Sequence, residues 1–322
     1  MLKPIKLNPV FKEIIWGGNR LKSEFGMKSD LNNIAESWEM TVRPDGMNTI
    51  CGGEFDGLSM EDYIKLNGNS VVTDKKYEGF PLLIKFIDAQ DNLSVQVHPD
   101  DEYAMKNENS LGKTEMWYIM DAKPGAKLVY GLKSGCTSDD FEKAIKNGTV
   151  EEKLNFVSVK KGDVFFIPSG LVHAIGAGIL LAEIQQNSNI TYRVYDYGRL
   201  GKDGLPRELH IKKALDVIIN RNQEEIEKIR FSESDKSDTT LASCDYFKVD
   251  KYNVDGYLQL LSSAKSFNSV LCLDGEGYIE YNDEKFSIVK GDSYFIPAGI
   301  GTYRISGNTE VIISQISIKK GC

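Results

Sequence analysis

Thirteen residues recur in this chain, and the recurrence limits what it can fold into. Lys161-Gly-Asp-Val-Phe-Phe-Ile-Pro-Ser-Gly-Leu-Val-His173 returns, offset by 129 positions, as Lys290-Gly-Asp-Ser-Tyr-Phe-Ile-Pro-Ala-Gly-Ile-Gly-Thr302, with seven positions identical and no gap. Each copy reads as a Gly-Asp turn, a short strand, then a Pro-x-Gly turn into another strand. Glycine accepts the tight-turn backbone and proline ends ladder pairing. Two copies in 322 residues predict two related β units. Short apolar or alternating runs support this, at Leu82–Ile87, Leu93–Val97, Met116–Met120, Lys127–Tyr130, Val164–Ile167 and Ile190–Tyr197. Three segments read as helices: one capped at Ser59, one starting at Ser138 and running towards Leu154, and one over Glu208–Ile229. The polar run Ser232–Thr240 lacks apolar periodicity and reads as a linker. The expected division is therefore residues 1–235 and residues 236–322.

Charge narrows the partners. The chain has 39 Lys and Arg against 47 Asp and Glu, a net charge of −8. Neither a phosphate backbone nor an anionic bilayer is drawn to such a surface, so nucleic acid and membrane partners are not expected. A small phosphorylated substrate held by a few local cations is still allowed. The first twenty residues carry scattered lysines and no apolar leader core. The most apolar stretch, Leu171–Ile184, is too short and too interrupted by glycine to span a bilayer. The five cysteines, Cys51, Cys136, Cys244, Cys272 and Cys322, are far apart and form no C-x-x-C pair. A disulfide framework or a thiolate zinc site is not expected, and the chain reads as a cytoplasmic, reduced protein. Its oligomeric state stays open.

The G-D-x-x-x-x-P-x-G-x-x-H pattern of the first copy resembles the second motif of cupins, and two copies resemble a bicupin. The resemblance implies a mainly β fold: two jelly-roll (cupin) barrels with a few accessory helices. Only three histidines occur, His98, His173 and His210. In Ser94-Val-Gln-Val-His98, strand alternation puts Ser94, Gln96 and His98 on one face. Gln96 and His98 are then roughly 6.6 Å apart at a strand rise of about 3.3 Å, close enough to converge on one ion. Glu115 starts the next strand and shares parity with Lys113, and His173 closes the first repeat. Gln96, His98, Glu115 and His173 form the expected metal-ligand set. Nitrogen and oxygen donors of this kind suit Zn²⁺, one per chain, and also Mn²⁺, Co²⁺ or Fe²⁺. The second copy carries Thr302 in place of histidine, and no histidine follows His210, so the C-terminal unit is expected to be structural.

Longer segments narrow the family. Ile87-Asp-Ala-Gln-Asp-Asn-Leu-Ser-Val-Gln-Val-His-Pro-Asp-Asp101 resembles a segment of type I mannose-6-phosphate isomerases, as do Trp16-Gly-Gly18, Ile34-Ala-Glu-Ser-Trp-Glu39, Gly112-Lys-Thr-Glu115 and Thr191-Tyr-Arg-Val-Tyr-Asp-Tyr-Gly-Arg199. The likeness is to the short form of that family. Only 58 positions separate Glu115 from His173, and Gly112 stands where longer members place a histidine. The resemblance implies interconversion of mannose 6-phosphate and fructose 6-phosphate through a cis-enediol. It also implies that a metal polarises the sugar oxygens and that Arg193 is the catalytic arginine. A guanidinium stays protonated, so Arg193 is expected to stabilise the enediolate and not to act as the base. Lys113 is the second catalytic candidate, for proton transfer or for the phosphate. A metal-bound water or a nearby carboxylate are the other candidates for the base. Arg193, Arg199, Lys113 and Arg20 are the candidate phosphate cations. Asp196 has opposite strand parity from Arg193 and is expected to point away unless a bulge intervenes. His210 is expected to be structural. Trp16 and Trp38 are candidates for the pocket wall or for the core. The competing functions are an isomerase for another sugar phosphate such as glucose 6-phosphate, a non-catalytic sugar-binding cupin, and a cupin oxygenase.

Overall fold

The computed structural model describes residues 2–75, 79–201, 204–219, 230–231 and 238–317. The chain is mainly β. Among the described residues the strands form sheets of five, seven and eight strands and one two-stranded ribbon. The five-stranded sheet holds Val95–Val97, Lys127–Leu132, Leu154–Ser158, His173–Ala174 and Tyr192–Tyr195. The seven-stranded sheet is built around Leu82–Ala89, Glu115–Ala122, Val164–Ile167 and Ile179–Gln186. The eight-stranded sheet holds the C-terminal strands, including the long pair Phe247–Ser262 and Gly301–Ile316.

Period-two alternation sorts the side chains into layers. In Glu115–Ala122, Trp117 and Ile119 point to one side, into a core shared with Ile87, Leu128, Tyr130, Phe165 and Leu181. That core lies between the five- and seven-stranded sheets. Met116, Tyr118 and Met120 point the other way, into a core shared with Ile5, Leu7, Phe247, Leu271 and Phe295. This second core joins the seven-stranded sheet to the eight-stranded one. A third covers the outer face of the five-stranded sheet, where Val95, Val97 and Val129 pack with the helical residues Phe141 and Ala214. The order of layers is thus helices, five strands, seven strands, eight strands.

The strand runs land where the sequence places them, with ends shifted by a few residues. Ile179–Gln186, inside the apolar stretch, is a further central strand. The helix at Ser59 forms as Met60–Asn67, and the Ser59 side chain accepts from the Asp62 N–H. The second helix is Ser138–Asn147, capped one residue earlier than expected. Thr137 and Asp140 form a reciprocal capping box there, and Gly148 ends the helix in the left-handed region. The long expected helix over Glu208–Ile229 is corrected. Only Ile211–Val217 is helical among its described residues, Ile218 is already extended, and 220–229 lie outside the described residues. Apolar spacing continues past Val217, but the Ile219 N–H bonds the Gly170 carbonyl, so tertiary pairing overrides local periodicity there. The expected linker lies in part outside the described residues, and its end, from Asp238, is already strand Asp238–Ser243. One pairing crosses the expected division: Ile5 and Lys6 pair with Phe295 and Tyr294, so the N-terminal strand completes the C-terminal sheet.

Candidate metal centre and active site

Two rows of side chains face each other across the sandwich. On the five-stranded sheet, Gln96 is the cross-strand partner of both His173 and Arg193. On the seven-stranded sheet, Trp38 is opposite Lys85, Lys85 opposite Glu183, and Glu183 opposite Trp117. Glu115 sits two residues from Trp117 on the same strand and the same face. The interior face of the sandwich is therefore apolar at one end and charged at the other. The charged end opens into a cleft of about 340 Å³, walled by Trp16, Glu36, Lys85, Ser94, Gln96, Lys113, Glu183, Arg193 and Arg207.

His98, Glu115 and His173 are fully buried, and their ligand atoms lie within 4.8 Å of one another. Glu115 Oε1 is 3.4 Å from His173 Nε2 and 3.7 Å from His98 Nε2. Each imidazole is held from behind. His98 Nδ1 lies 2.8 Å from the Ile190 carbonyl and His173 Nδ1 2.8 Å from the Leu171 carbonyl. A carbonyl accepts only, so both rings carry the proton on Nδ1 and turn an Nε2 lone pair towards the shared point. Burial, followed by the Lys113 charge, pushes His98 down to about 3, and burial also lowers His173. Both rings are thus neutral, the form that binds a cation. Burial works against ionisation of Glu115, yet the Lys113 ammonium holds its carboxyl well below the usual range. Lys113 Nζ lies 2.7 Å from Glu115 Oε2 and 3.2 Å from His98 Nε2. The 2.7 Å approach is an ion pair without hydrogen-bond alignment, so both Glu115 oxygens stay without a hydrogen-bond partner. Two neutral imidazoles and a buried, ionised carboxylate aimed at one point fit a divalent cation. Gln96 completes the ring, with its amide nitrogen 3.4 Å from His173 Nε2; the opposite amide orientation presents its oxygen.

All six residues expected in the site meet here: Gln96, His98, Lys113, Glu115, His173 and Arg193. Arg193 Nε donates to Ser94 Oγ at 3.2 Å and Nη1 to the Glu208 carbonyl at 2.9 Å. Burial and then the nearby Arg207 charge lower its pKa from the ordinary arginine value. His210 lies against Arg193: its backbone N–H donates to the Arg193 carbonyl at 2.7 Å and its ring packs on Tyr192. Arg20 is corrected. It pairs with Glu24 and Asp121 in a separate cleft of about 190 Å³, beside Lys161 and Lys290 and away from the metal donors. Arg199 is tied to Asp196 and to the Asn92 carbonyl and does not wall the main cleft. Trp16 walls the cleft, whereas Trp38 lies beneath it, its ring 5.4 Å from Lys85 Nζ and its Nε1 donating to Glu36 at 2.7 Å.

Sequence reasoning misses Lys85 and Glu183 as site residues. Lys85 is 4% exposed, 3.1 Å from Glu183 and 3.4 Å from Glu36. Burial opposes its charge, but Glu183 and then Glu36 more than offset this and raise it above the usual lysine range. Burial, then the Glu115 charge, raise Glu183. The only available signal is a charged residue with apolar neighbours on both sides, Lys85 between Ile84 and Phe86 and Glu183 between Ala182 and Ile184.

Two family models match the chain: "phosphomannose isomerase type I, catalytic domain" over residues 5–126 and "mannose-6-phosphate isomerase, cupin domain" over residues 237–316. Mannose-6-phosphate isomerase ManA of Bacillus subtilis is 38% identical over 316 residues, which is 98% of this chain and 99% of that one. A mannose-6-phosphate isomerase of Streptococcus mutans is 36% identical over 319 residues, 98% of this chain and 99% of that one. Among solved structures, the mannose 6-phosphate isomerase from Bacillus subtilis superposes with a TM-score of 0.88 at 35% identity, covering 97% of this chain and 99% of that one.

Proposed function

The chain belongs to the type I mannose-6-phosphate isomerase family and is an isomerase, and we propose from this that it interconverts mannose 6-phosphate and fructose 6-phosphate through a cis-enediol. The observation that carries the proposal is the convergence of His98 Nε2, Glu115 Oε1 and His173 Nε2 at a buried point behind a cleft walled by Gln96, Lys113 and Arg193. Gln96, His98, Glu115 and His173 would hold one Zn²⁺, with Mn²⁺, Co²⁺ or Fe²⁺ as alternatives for the same donors. When bound, the ion supplies Lewis-acid stabilisation of the negative charge that develops on the sugar oxygens.

The chain's own residues do the rest. Arg193 is tethered at Nε and Nη1, so its charge stands ready beside the developing enediolate without reorganising. Lys113 is buried on the cleft wall, and we assign to it the proton transfer between C1 and C2, for which it must first give up the proton of its ammonium form. Lys85, Glu183 and Glu36 offer a charged hydrogen-bonding edge to the sugar hydroxyls from the opposite sheet. Trp16 gives that wall an apolar face and helps exclude water. Residues 1–235 carry every one of these groups, and residues 236–322 serve as structural support.

The test is turnover of mannose 6-phosphate in D₂O by the metal-loaded protein, with Arg193→Ala alongside. Fructose 6-phosphate carrying solvent deuterium is expected, because the enediol exchanges its proton with a protein base. Arg193→Ala should lower kcat/KM by at least about 100-fold, the size of losing one transition-state donor. No fructose 6-phosphate from the loaded wild type would refute the substrate assignment. Turnover with no solvent deuterium would refute the enediol route.

A further inference from the structure

Next to Arg193 the chain assembles a second cationic group around one carboxylate. Asp196 is 6% exposed on its side chain and binds two guanidinium groups. Arg207 grips it through two parallel contacts, Nε to Oδ2 at 2.7 Å and Nη2 to Oδ1. Arg199 Nη2 donates to the same Oδ1 at 2.5 Å. A bidentate pair fixes the plane of a guanidinium as well as its position. Arg207 walls the main cleft beside Arg193, and Asp196 therefore decides where that charge stands.

The local backbone is shaped for this. The pairing of Arg193 and Tyr195 with Gln96 and Val95 is shifted by a bulge, which breaks strict alternation. Tyr197, a non-glycine residue, adopts φ 57°, and Gly198 follows at φ 67°, turning the chain back on itself. An isolated bridge between Leu200 and Pro206 closes the excursion and delivers Arg207. Three guanidinium groups then stand around one buried carboxylate, while the nearby Glu208 side chain is turned to solvent at 82% exposure. Two of them, Arg193 and Arg207, wall the cleft with the Asp196 carboxylate behind them, and a cationic wall of this kind draws an anion.

We infer that Asp196 is a positioning residue: it sets Arg207 as the anion-facing cation of the cleft, through which the phosphate end of the substrate is held. The identity of that substrate rests on the isomerase reading above; the anion site does not. Asp196→Asn keeps the shape of the side chain but cannot hold two guanidinium groups by charge.

The experiment uses the metal-loaded protein, the variants Asp196→Asn and Arg207→Lys, and their double. Asp196→Asn should raise KM for mannose 6-phosphate about 10- to 100-fold, with kcat within about threefold, the scale of a lost charge-assisted contact. Binding of inorganic phosphate, read by calorimetry, should weaken by the same factor. Arg207→Lys should give the same split, and the double variant should be no worse than either single one, because the two residues act as a unit. Unchanged phosphate binding in Asp196→Asn, or a fall in kcat at constant KM, would overturn the inference. Arg207→Lys reads the same site if Asp196→Asn fails to fold, and normal phosphate binding in it would overturn the inference equally. Phosphate binding needs no turnover: a wild type that binds phosphate but leaves mannose 6-phosphate unchanged would refute the isomerase reading and leave the inference standing.

Discussion

Glu115 concentrates the argument at the scale of the residue. It is fully buried, its two oxygens lack hydrogen-bond partners, and two imidazole lone pairs aim at the same point. Glu115→Gln keeps the volume and removes the charge. Metal affinity should fall by at least about 100-fold, since even partners outside the coordination shell cost 10- to 100-fold. Metal content after dialysis checks this, and full retention of metal would contradict it. Lys85 makes a different kind of demand. It balances Glu183 and Glu36 in a site only 4% exposed, so Lys85→Met leaves buried carboxylates unpaired. Breaking one partner of a buried pair costs roughly 3–5 kcal/mol. In a chain of this size that predicts a fall in melting temperature of about 4–7 °C. An unchanged melting temperature would show that solvent already screens the pair.

Elements place these residues, and they explain what is legible in the sequence. The donors on Val95–Val97 and at its end can be read because alternation over Ser94–His98 is local. His173 can be read because a turn motif precedes it. Lys85 and Glu183 cannot, because they matter only once Leu82–Ala89 and Ile179–Gln186 pair in the observed register, and register is a long-range property. For Asp196 parity alone does not decide the side, and the bulge on which its expected direction depends is present. Arg20 is misjudged because a helix of its own, Arg20–Phe25, carries it to the other cleft. Gly112 is fixed by its surroundings. A Cβ there would lie 2.4 Å from the Asp100 carbonyl carbon and 2.5 Å from the Asp101 nitrogen, at the start of helix Asp101–Glu108. No larger residue fits, because the helix start has taken the space. Gly112→Ala should push the following Lys113 and Glu115 out of place and lower kcat by about 10- to 100-fold, the cost of about 1 Å of misplacement. Wild-type kcat in that variant would show that the helix start yields instead.

At the scale of the molecule, three sheets share two cores, and the junction between the N-terminal and C-terminal units carries a buried acid. Glu39 is 1% exposed, accepts from Ser37, and its carbonyl accepts from Ser293 of the C-terminal sheet. Burial, with a smaller push from Asp292, raises its carboxyl to about 8. The sign follows from linkage. An unfolded glutamate titrates near about 4.3, so the full stability is present below that pH and is lost as pH rises through about 8. Glu39→Gln removes the titration. Between pH 6 and 8.5 the wild type should lose melting temperature relative to this variant; a difference that does not change with pH would contradict the assignment. The same layering puts the candidate metal donors at the charged end of one sandwich, with no equivalent donor set found among the described residues of the C-terminal sheet. The most direct test of the whole account is a metal titration of chelated protein, with bound Zn²⁺ and mannose 6-phosphate turnover followed together. The account predicts that activity rises linearly and saturates at one ion per chain, and that His173→Ala neither holds the ion nor turns over substrate. Full activity in the metal-free protein, or an active His173→Ala variant without bound metal, would contradict it.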